Sequence, residues 1–256
     1  MGRILSLMNE KGGVGKSSLT FSVAWRLAEL GRRVLMVDLD GQMANLTYVA
    51  GVPQDGCQTM ADVLLRNVPL EQVIVPVSQS PKELLFLVPA NTSMADALTT
   101  AKISRMKKAI ASIRDAYDYI FLDVNPAPDW KHALTLSVLD CVAIVMLPDV
   151  LSLEANRGII ESIQEVQETM NPELKIAGLI LNRYDSWTNL SRAVTGKALQ
   201  MAQILQTSVF HAKVRKAVAM SESVFDHVGV TAYAPKSEVA NDICQLTEEL
   251  MEKVQG

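Results

Sequence analysis

The stretch NEKGGVGKSS, Asn9 to Ser18, follows a short apolar run, Ile4 to Met8, and opens a helical pattern in which Leu19, Val23, Leu27 and Leu30 recur at three- and four-residue spacing. It reads as the turn between a strand and a helix. Gly12, Gly13 and Gly15, with Val14 between them, let the backbone turn sharply and bring successive N–H groups onto a polyphosphate, with the positive end of the helix dipole beneath it. Lys16 can reach the terminal phosphates and the Ser17 hydroxyl can ligate Mg²⁺; Ser18 is the last candidate of the cradle. The general pattern for such loops is G-x-x-x-x-G-K-[ST]. Here Glu10 occupies its first glycine position, and the loop carries a second lysine, Lys11.

Outward from the loop, the first helix ends at Leu30 with Gly31 as its cap, and Arg33 to Asp38 (RVLMVD) reads as a second buried strand. Its end delivers Asp38 and Asp40, two residues apart and so on one side of an extended segment. A third strand, Tyr119 to Asp123 (YIFLD), places Asp123 where a hydrophobic run stops. Carboxylates in these positions suit Mg²⁺, its water shell, or the positioning of an attacking water. A short helix is expected around Met60 to Arg66 and one long helix over Ser93 to Tyr117, with Ile103, Met106, Ile110, Ile113 and Tyr117 facing inward. Leu84 to Val88, Cys141 to Leu147 and Lys175 to Leu181 read as further strands, the last two separated by a helix from Ser152 to Met170. Strands alternating with helices predict an α/β fold: a mostly parallel twisted sheet with helices on both faces, in a single domain spanning residues 1–256. Ligands in such sheets bind beyond the carboxyl ends of the strands, where the loop, Asp38, Asp40, Asp123 and Asn182 all fall.

The composition is that of an ordinary globular chain: 256 residues, 49% hydrophobic and 20% charged. The formal net charge of -4 does not announce nucleic acid, so any DNA-binding surface must be a local patch. Cys57, Cys141 and Cys244 are too scattered for a disulfide framework, and His132, His211 and His227 lack metal-ligand spacing. No apolar run approaches the roughly 18 residues of a membrane span. MGRILS matches a myristoylation pattern through Gly2 and Ser6, but it runs straight into the first strand, and no signal-peptide pattern is present. A cytoplasmic location is expected.

KGGVGKSS resembles the deviant Walker A motif of the ParA and MinD superfamily of ATPases, and the resemblance extends along most of the chain. DLDGQMANLT resembles the family's first switch: Asp38, Asp40, Gln42 and Asn45 correspond, while Gly41 and Met43 depart from the usual proline and glycine. The family's second switch follows Asp123, where this chain reads Val124, Asn125, Pro126, Ala127 and Pro128 and lacks the usual hydroxyl. Pro148 to Glu154 resembles the P-x-x-x-A-L-E segment, and NRYD, Asn182 to Asp185, the adenine-recognition element. The resemblance implies a P-loop fold of the deviant Walker A type, binding of ATP and Mg²⁺, and a nucleotide sandwich dimer. Lys11 would reach the partner subunit's nucleotide, Lys16 would stabilise phosphoryl charge, and Asp40 would orient water. Ser17, Asp38 and Asp123 would serve Mg²⁺, and Asn182 and Arg183 the base.

From Arg183 to Lys216 there are six basic residues and one acidic residue, a local charge of +5 that leaves -9 for the remainder. TNLSRAV, Thr188 to Val194, resembles a family segment and makes Arg192 the leading DNA contact. Lys197, Lys213, Arg215 and Lys216 complete the candidate set. A solvated basic face is the competing reading. The last helix carries Glu238, Asp242, Glu248, Glu249 and Glu252 around its apolar stripe, opposite in charge to a membrane-surface helix, so no stable membrane anchor is expected. The resemblance therefore implies a nucleoid-associated partition ATPase that binds nonspecific DNA as an ATP-bound homodimer and is stimulated by a ParB-like adaptor. Two alternatives share most of these features: a positioning ATPase for a protein cargo, and a nucleotide switch with little turnover.

Overall fold

The computed structural model describes residues 1–40, 45–54, 56–100, 102–124, 130–148, 150–185 and 189–255. Gly41, Gln42, Met43, the segment from Asn125 to Pro128 and Thr188 therefore lie outside the described residues. Eight strands form one sheet: β1 (Arg3–Met8), β2 (Val34–Asp38), β3 (Val75–Pro76), β4 (Leu85–Val88), β5 (Tyr119–Asp123), β6 (Cys141–Met146), β7 (Lys175–Tyr184) and β8 (Val214–Arg215). Their order is β3-β4-β2-β5-β1-β6-β7-β8, and every pairing is parallel except β3 with β4. β3 is a two-residue edge strand containing Pro76, which an edge tolerates because the missing N–H would face outward.

The central strands are buried on both faces, as continuous runs of Val, Ile, Leu and Met require in a parallel sheet. Alternate residues feed two separate cores. Leu35, Val37, Ile120, Leu122 and Ile144 point to one face. It is covered by α3 (Met60–Arg66), α4 (Met94–Thr100), α5 (Ile103–Ile113), α6 (Trp130–Leu136), α7 (Val150–Thr169) and α8 (Asn189–Ile204). Leu5, Leu7, Met36, Phe121 and Val145 point to the other. This second face carries α1 (Lys16–Glu29), α2 (Asn45–Val49), α9 (Val218–Phe225), α10 (Val230–Tyr233) and α11 (Glu238–Gln255). The stripe of α11, Val239, Ile243, Leu246, Leu250 and Val254, is buried there, so its apolar side is used within the fold. Among the described residues no helix is long and apolar enough to cross a membrane.

α1 ends as its sequence suggests: Gly31 takes φ 83°, and the Gly31 and Arg32 N–H groups return to the Ala28 and Leu27 carbonyls. The helix expected over Ser93 to Tyr117 is instead two helices and a final 3-10 turn, Arg114–Ala116. Lys102 is extended, with φ -83° and ψ 137°, and its carbonyl accepts the first N–H bonds of α5. The β-branched pair Thr99 and Thr100 precedes this break, where helix propensity is low. The inward stripe survives: Met106, Ile110, Ile113 and Tyr117 are buried. Gly2 is buried too; a Cβ there would lie 2.2 Å from the Tyr117 carbonyl oxygen, and its own carbonyl accepts from Arg114 Nε at 2.8 Å.

Candidate nucleotide site

The loop between β1 and α1 sits at the carboxyl end of the sheet. Gly13 and Gly15 adopt φ of 73° and 90°, the left-handed region that disfavours a side chain. At Gly15 space is closed as well, because a Cβ would lie 2.7 Å from Asn182 Nδ2. α1 begins at Lys16 with glycine at its cap and no acidic residue in its first turn, so nothing at the cap competes with an anion. Asn9 shapes the entry to the loop: its Nδ2 donates to the Val145 carbonyl at 2.6 Å, and its Oδ1 accepts from the Lys11 N–H at 2.5 Å. Glu10, standing where the general pattern has glycine, lies against α7. A Cβ on Gly158 would come within 2.4 Å of its Oε2. Burial, with the Glu161 charge second, raises the Glu10 carboxyl above its usual range.

Asp38 and Asp123 end adjacent strands in register, and both are buried. Ser17 Oγ donates to Asp123 Oδ2 at 2.6 Å, while Asp123 Oδ1 is buried with no hydrogen-bond partner among the described residues. Burial pushes Asp123 up to about 6, against the Ser17 hydrogen bond and the Lys16 charge. A buried carboxylate oxygen lacking a donor, beside a loop hydroxyl, is a vacancy that a hard divalent cation would satisfy. Ser17 and Asp123 therefore fit Mg²⁺. Lys16 is itself buried, which lowers its ammonium below the usual lysine range against the opposing pull of Asp123 and Asp40. A phosphate would relieve that cost.

Asp38, expected beside Mg²⁺, has its carboxylate turned to a different task. Its Oδ1 accepts from the Asp40 N–H at 2.9 Å, and its Oδ2 accepts from the Thr47 N–H and Oγ1 at 2.8 and 2.7 Å. Thr47 Oγ1 in turn accepts from the Ala90 N–H at 2.9 Å. Burial and the neighbouring Asp123 charge raise Asp38 to about 7 in spite of these bonds. Asp38 thus fixes the path of the chain between Asp40 and α2. Asp40 lines the phosphate cavity, and its Oδ2 accepts from Asn45 Nδ2 at 2.9 Å.

Two adjoining cavities form one cleft. The first, about 560 Å³, is lined by Gly12, Gly13, Gly15, Lys16, Ser17, Ser18, Asp40, Asn45, Tyr48 and Val49. The second, about 610 Å³, is lined by Asn182, Arg215, Lys216, Ala217, Val218, Met220 and Ser221. Gly15, Ser18, Arg183 and Val224 border both. The loop glycines, Lys16 and Asp40 line one end of the cleft; the other combines Val218, Met220 and Val224 with the basic Arg215 and Lys216. Asn182 stands at the junction, yet its amide serves the loop: Nδ2 donates to the Val14 carbonyl at 2.7 Å and Oδ1 accepts from the Arg183 N–H at 2.9 Å.

The basic residues divide. Arg192 and Lys197 are exposed on α8, and Lys216 is exposed at the second cavity. Lys213 Nζ lies 4.4 Å from the centre of the Tyr184 ring. Arg215 is held by acids of α11: Nε and Nη2 donate to Asp242 at 2.7 and 3.0 Å, and Nη1 pairs with Glu238. Its positive charge is largely answered by these two acids, one of them, Glu238, itself on the surface. Thr47, Met220, Ser221 and Val224 were not foreseen at the site. No spacing marks them; the chain path after β2 and after β8 brings them there.

A glycine loop cradled at a helix start, a hydroxyl–carboxylate pair and a second acidic switch residue define a P-loop nucleotide-hydrolysing protein. A family model described as an AAA domain matches residues 2–176. The chromosome-partitioning ATPase Soj of Thermus thermophilus is 32% identical, covering 99% of this chain and 97% of the relative. Among solved structures, the septum site-determining protein MinD of Pyrococcus horikoshii complexed with Mg-ADP is 25% identical with a TM-score of 0.80, over 100% of this chain and 98% of that one. Cobyrinic acid a,c-diamide synthase of Mycobacterium smegmatis, with bound ADP and magnesium, is 26% identical with a TM-score of 0.82, over 100% and 96%. The chain belongs to the ParA/MinD superfamily of ATPases.

Proposed function

We propose that this ATPase is a DNA partition protein whose cleft binds ATP with Mg²⁺ and whose ATP-bound form is a homodimer. The observation that carries nucleotide and metal binding is the Ser17–Asp123 pair, with its open buried oxygen, between Lys16 and Asp40. Mg²⁺, when bound, supplies charge neutralisation at the phosphates. The loop N–H groups and Lys16 hold the phosphoryl oxygens, and Asp40, braced by Asn45, orients the water that attacks. Lys11 acts on the nucleotide of the second copy. Exposed Tyr48, Val218 and Phe225 surround the cleft mouth and supply apolar surface for that copy.

The DNA-binding residues of this reading are Arg192 and Lys197, exposed on α8, a helix without a single acidic residue. Lys213 and Lys216 are secondary contacts. Hydrolysis is slow until a ParB-like adaptor binds, and the protein is cytoplasmic and nucleoid-associated. DNA binding measured by anisotropy with ADP, ATP and a slowly hydrolysed analogue, across a salt series, tests this. ATP should tighten binding. Removing Arg192 and Lys197 together should lower the salt slope by about 2, while Arg215→Ala should leave it unchanged. Binding indifferent to ATP and to both lysine and arginine removal would instead favour a protein cargo, a reading to which the neutralisation of Arg215 already lends support.

A further inference from the structure

His227 occupies the turn between α9 and α10, in the left-handed region with φ 57°. The turn is fixed from within: the His227 N–H donates to the Val224 carbonyl at 3.2 Å and the Val228 N–H to the Ser223 carbonyl at 3.0 Å. Its ring projects across the cleft wall onto the end of α2. It meets the Tyr48 ring edge-on, with centroids 5.7 Å apart and planes at 79°. Its Nδ1 lies 3.4 Å from the Val49 carbonyl oxygen, which can only accept, so the contact requires the hydrogen on Nδ1. Gly51 makes room for the ring: a Cβ there would lie 2.8 Å from His227 Cγ, and Gly51 itself has φ 68°. Three features at and just past the α2 terminus, the Tyr48 ring edge, the Val49 carbonyl and Gly51, are therefore shaped around one imidazole.

The two elements it joins serve different halves of the cleft. α2 is a five-residue helix whose first residue, Asn45, holds the Asp40 carboxylate, and whose Thr47 is tied to Asp38. Tyr48 and Val49 line the phosphate cavity directly. α9 contributes Val218, Met220, Ser221 and Val224 to the other cavity. A helix this short has little stability of its own and keeps its placement through tertiary contacts: Leu46 and Val49 are buried in the core it shares with α1, and both its ends are held. At the Asp40 end the contacts are hydrogen bonds; at the far end His227 is packed against it.

We infer that His227 is a positioning residue for hydrolysis, clasping the end of α2 to the base-side wall so that Asp40 is held in its hydrolytic place when the base-side cavity is filled. This rests on the ATPase reading of the cleft. His227 touches neither phosphate nor metal ligand, so its loss should act on turnover more than on nucleotide affinity.

The test compares wild type, His227→Gly, which keeps the left-handed backbone and deletes the ring, and His227→Phe, which restores an aromatic edge for Tyr48. Single-turnover ATP hydrolysis, ADP affinity by calorimetry and the melting temperature are measured on each full chain. His227→Gly should lower the hydrolysis rate about tenfold, since a small displacement of a catalytic group costs that order of rate. ADP affinity should stay within about twofold. His227→Phe should recover part of the rate, and Tyr48→Ala combined with His227→Gly should be no slower than His227→Gly alone. An unchanged rate in His227→Gly overturns the inference. So does a parallel fall in rate, ADP affinity and melting temperature without rescue by phenylalanine, which would mark a merely structural residue. Wild type that binds ADP no better than Lys16→Ala would instead overturn the nucleotide reading beneath it.

Discussion

The two halves of the cleft are built on opposite plans. The phosphate half comes mainly from one contiguous run, Gly12 to Ser18, completed by Asp40 just past the end of β2, with Asp123 at the end of β5 bonded to Ser17. Its loop supplies glycines at positive φ and a buried ammonium, and behind Ser17 lies a buried carboxylate oxygen with no hydrogen-bond partner among the described residues. The base half is assembled from β7, β8 and α9, and its most polar side chains are committed elsewhere. Asn182 fastens the loop through the Val14 carbonyl, and Arg215 is locked to Asp242 and Glu238. The difference teaches that one half holds a buried ammonium within a preformed loop, while the other keeps its basic side chains, Arg183 and Lys216, exposed around a partly apolar wall. Energy for binding should therefore come mostly from the phosphates.

Removing the charged anchor is the harshest way to break that asymmetry. Lys16→Ala should abolish ATP-dependent self-association, followed by sedimentation, and lower turnover by about 100-fold or more, the usual scale for losing a preorganised charge stabiliser. A normal ATP-dependent dimer from this variant would mean that the phosphate half does not dominate.

Asn182→Ala sharpens the comparison at the junction. If the amide serves the loop, as its bonds indicate, the variant should weaken ATP and CTP alike by about tenfold, the cost of leaving a buried carbonyl without its donor. If the amide reads the base, only the preference for ATP over CTP should fall. Competition binding with the two nucleotides separates these outcomes.

This residue also shows what a sequence can and cannot reveal here. That Asn182 lies beside the loop was legible because the apolar run stops at Leu181, although β7 itself continues to Tyr184; the direction of its amide was not, since the partner carbonyl lies 168 positions away. The same holds for Asp38 and Arg215. Spacing placed Asp38 at a strand end, but Thr47, which captures its carboxylate, carries no motif. The basic stretch was legible as charge, and the acids that answer Arg215 arrive from α11, 23 and 27 residues later. The placement of the glycine loop and of Asp123 was legible because it follows from local backbone geometry and the end of a hydrophobic run. The sheet and its two helical layers were readable for the same reason, whereas the break between α4 and α5 turned on one extended residue, Lys102.

The smallest expected effect concerns the cost of preparing the phosphate half. Asp38 and Asp123 are buried side by side, and their carboxyls rise from an ordinary 3.8 to about 7 and about 6. A raised value means the folded protein holds these protons more tightly than the unfolded chain does. The associated stability is full below about pH 4 and is lost as pH climbs through 6 and 7. In nucleotide-free, metal-free protein, Asp38→Asn removes one titrating group and relieves Asp123 of a like charge. It also introduces a constant penalty, because its amide meets the Thr47 donors. The readout is therefore the slope: between pH 5 and 7.5 the melting temperature of wild type should fall relative to the variant by about 3 °C or more. A difference that is flat, or that moves the other way, would show that the two carboxylates carry no strain in the empty site. The contrast between the two halves of the cleft would then lose its electrostatic basis.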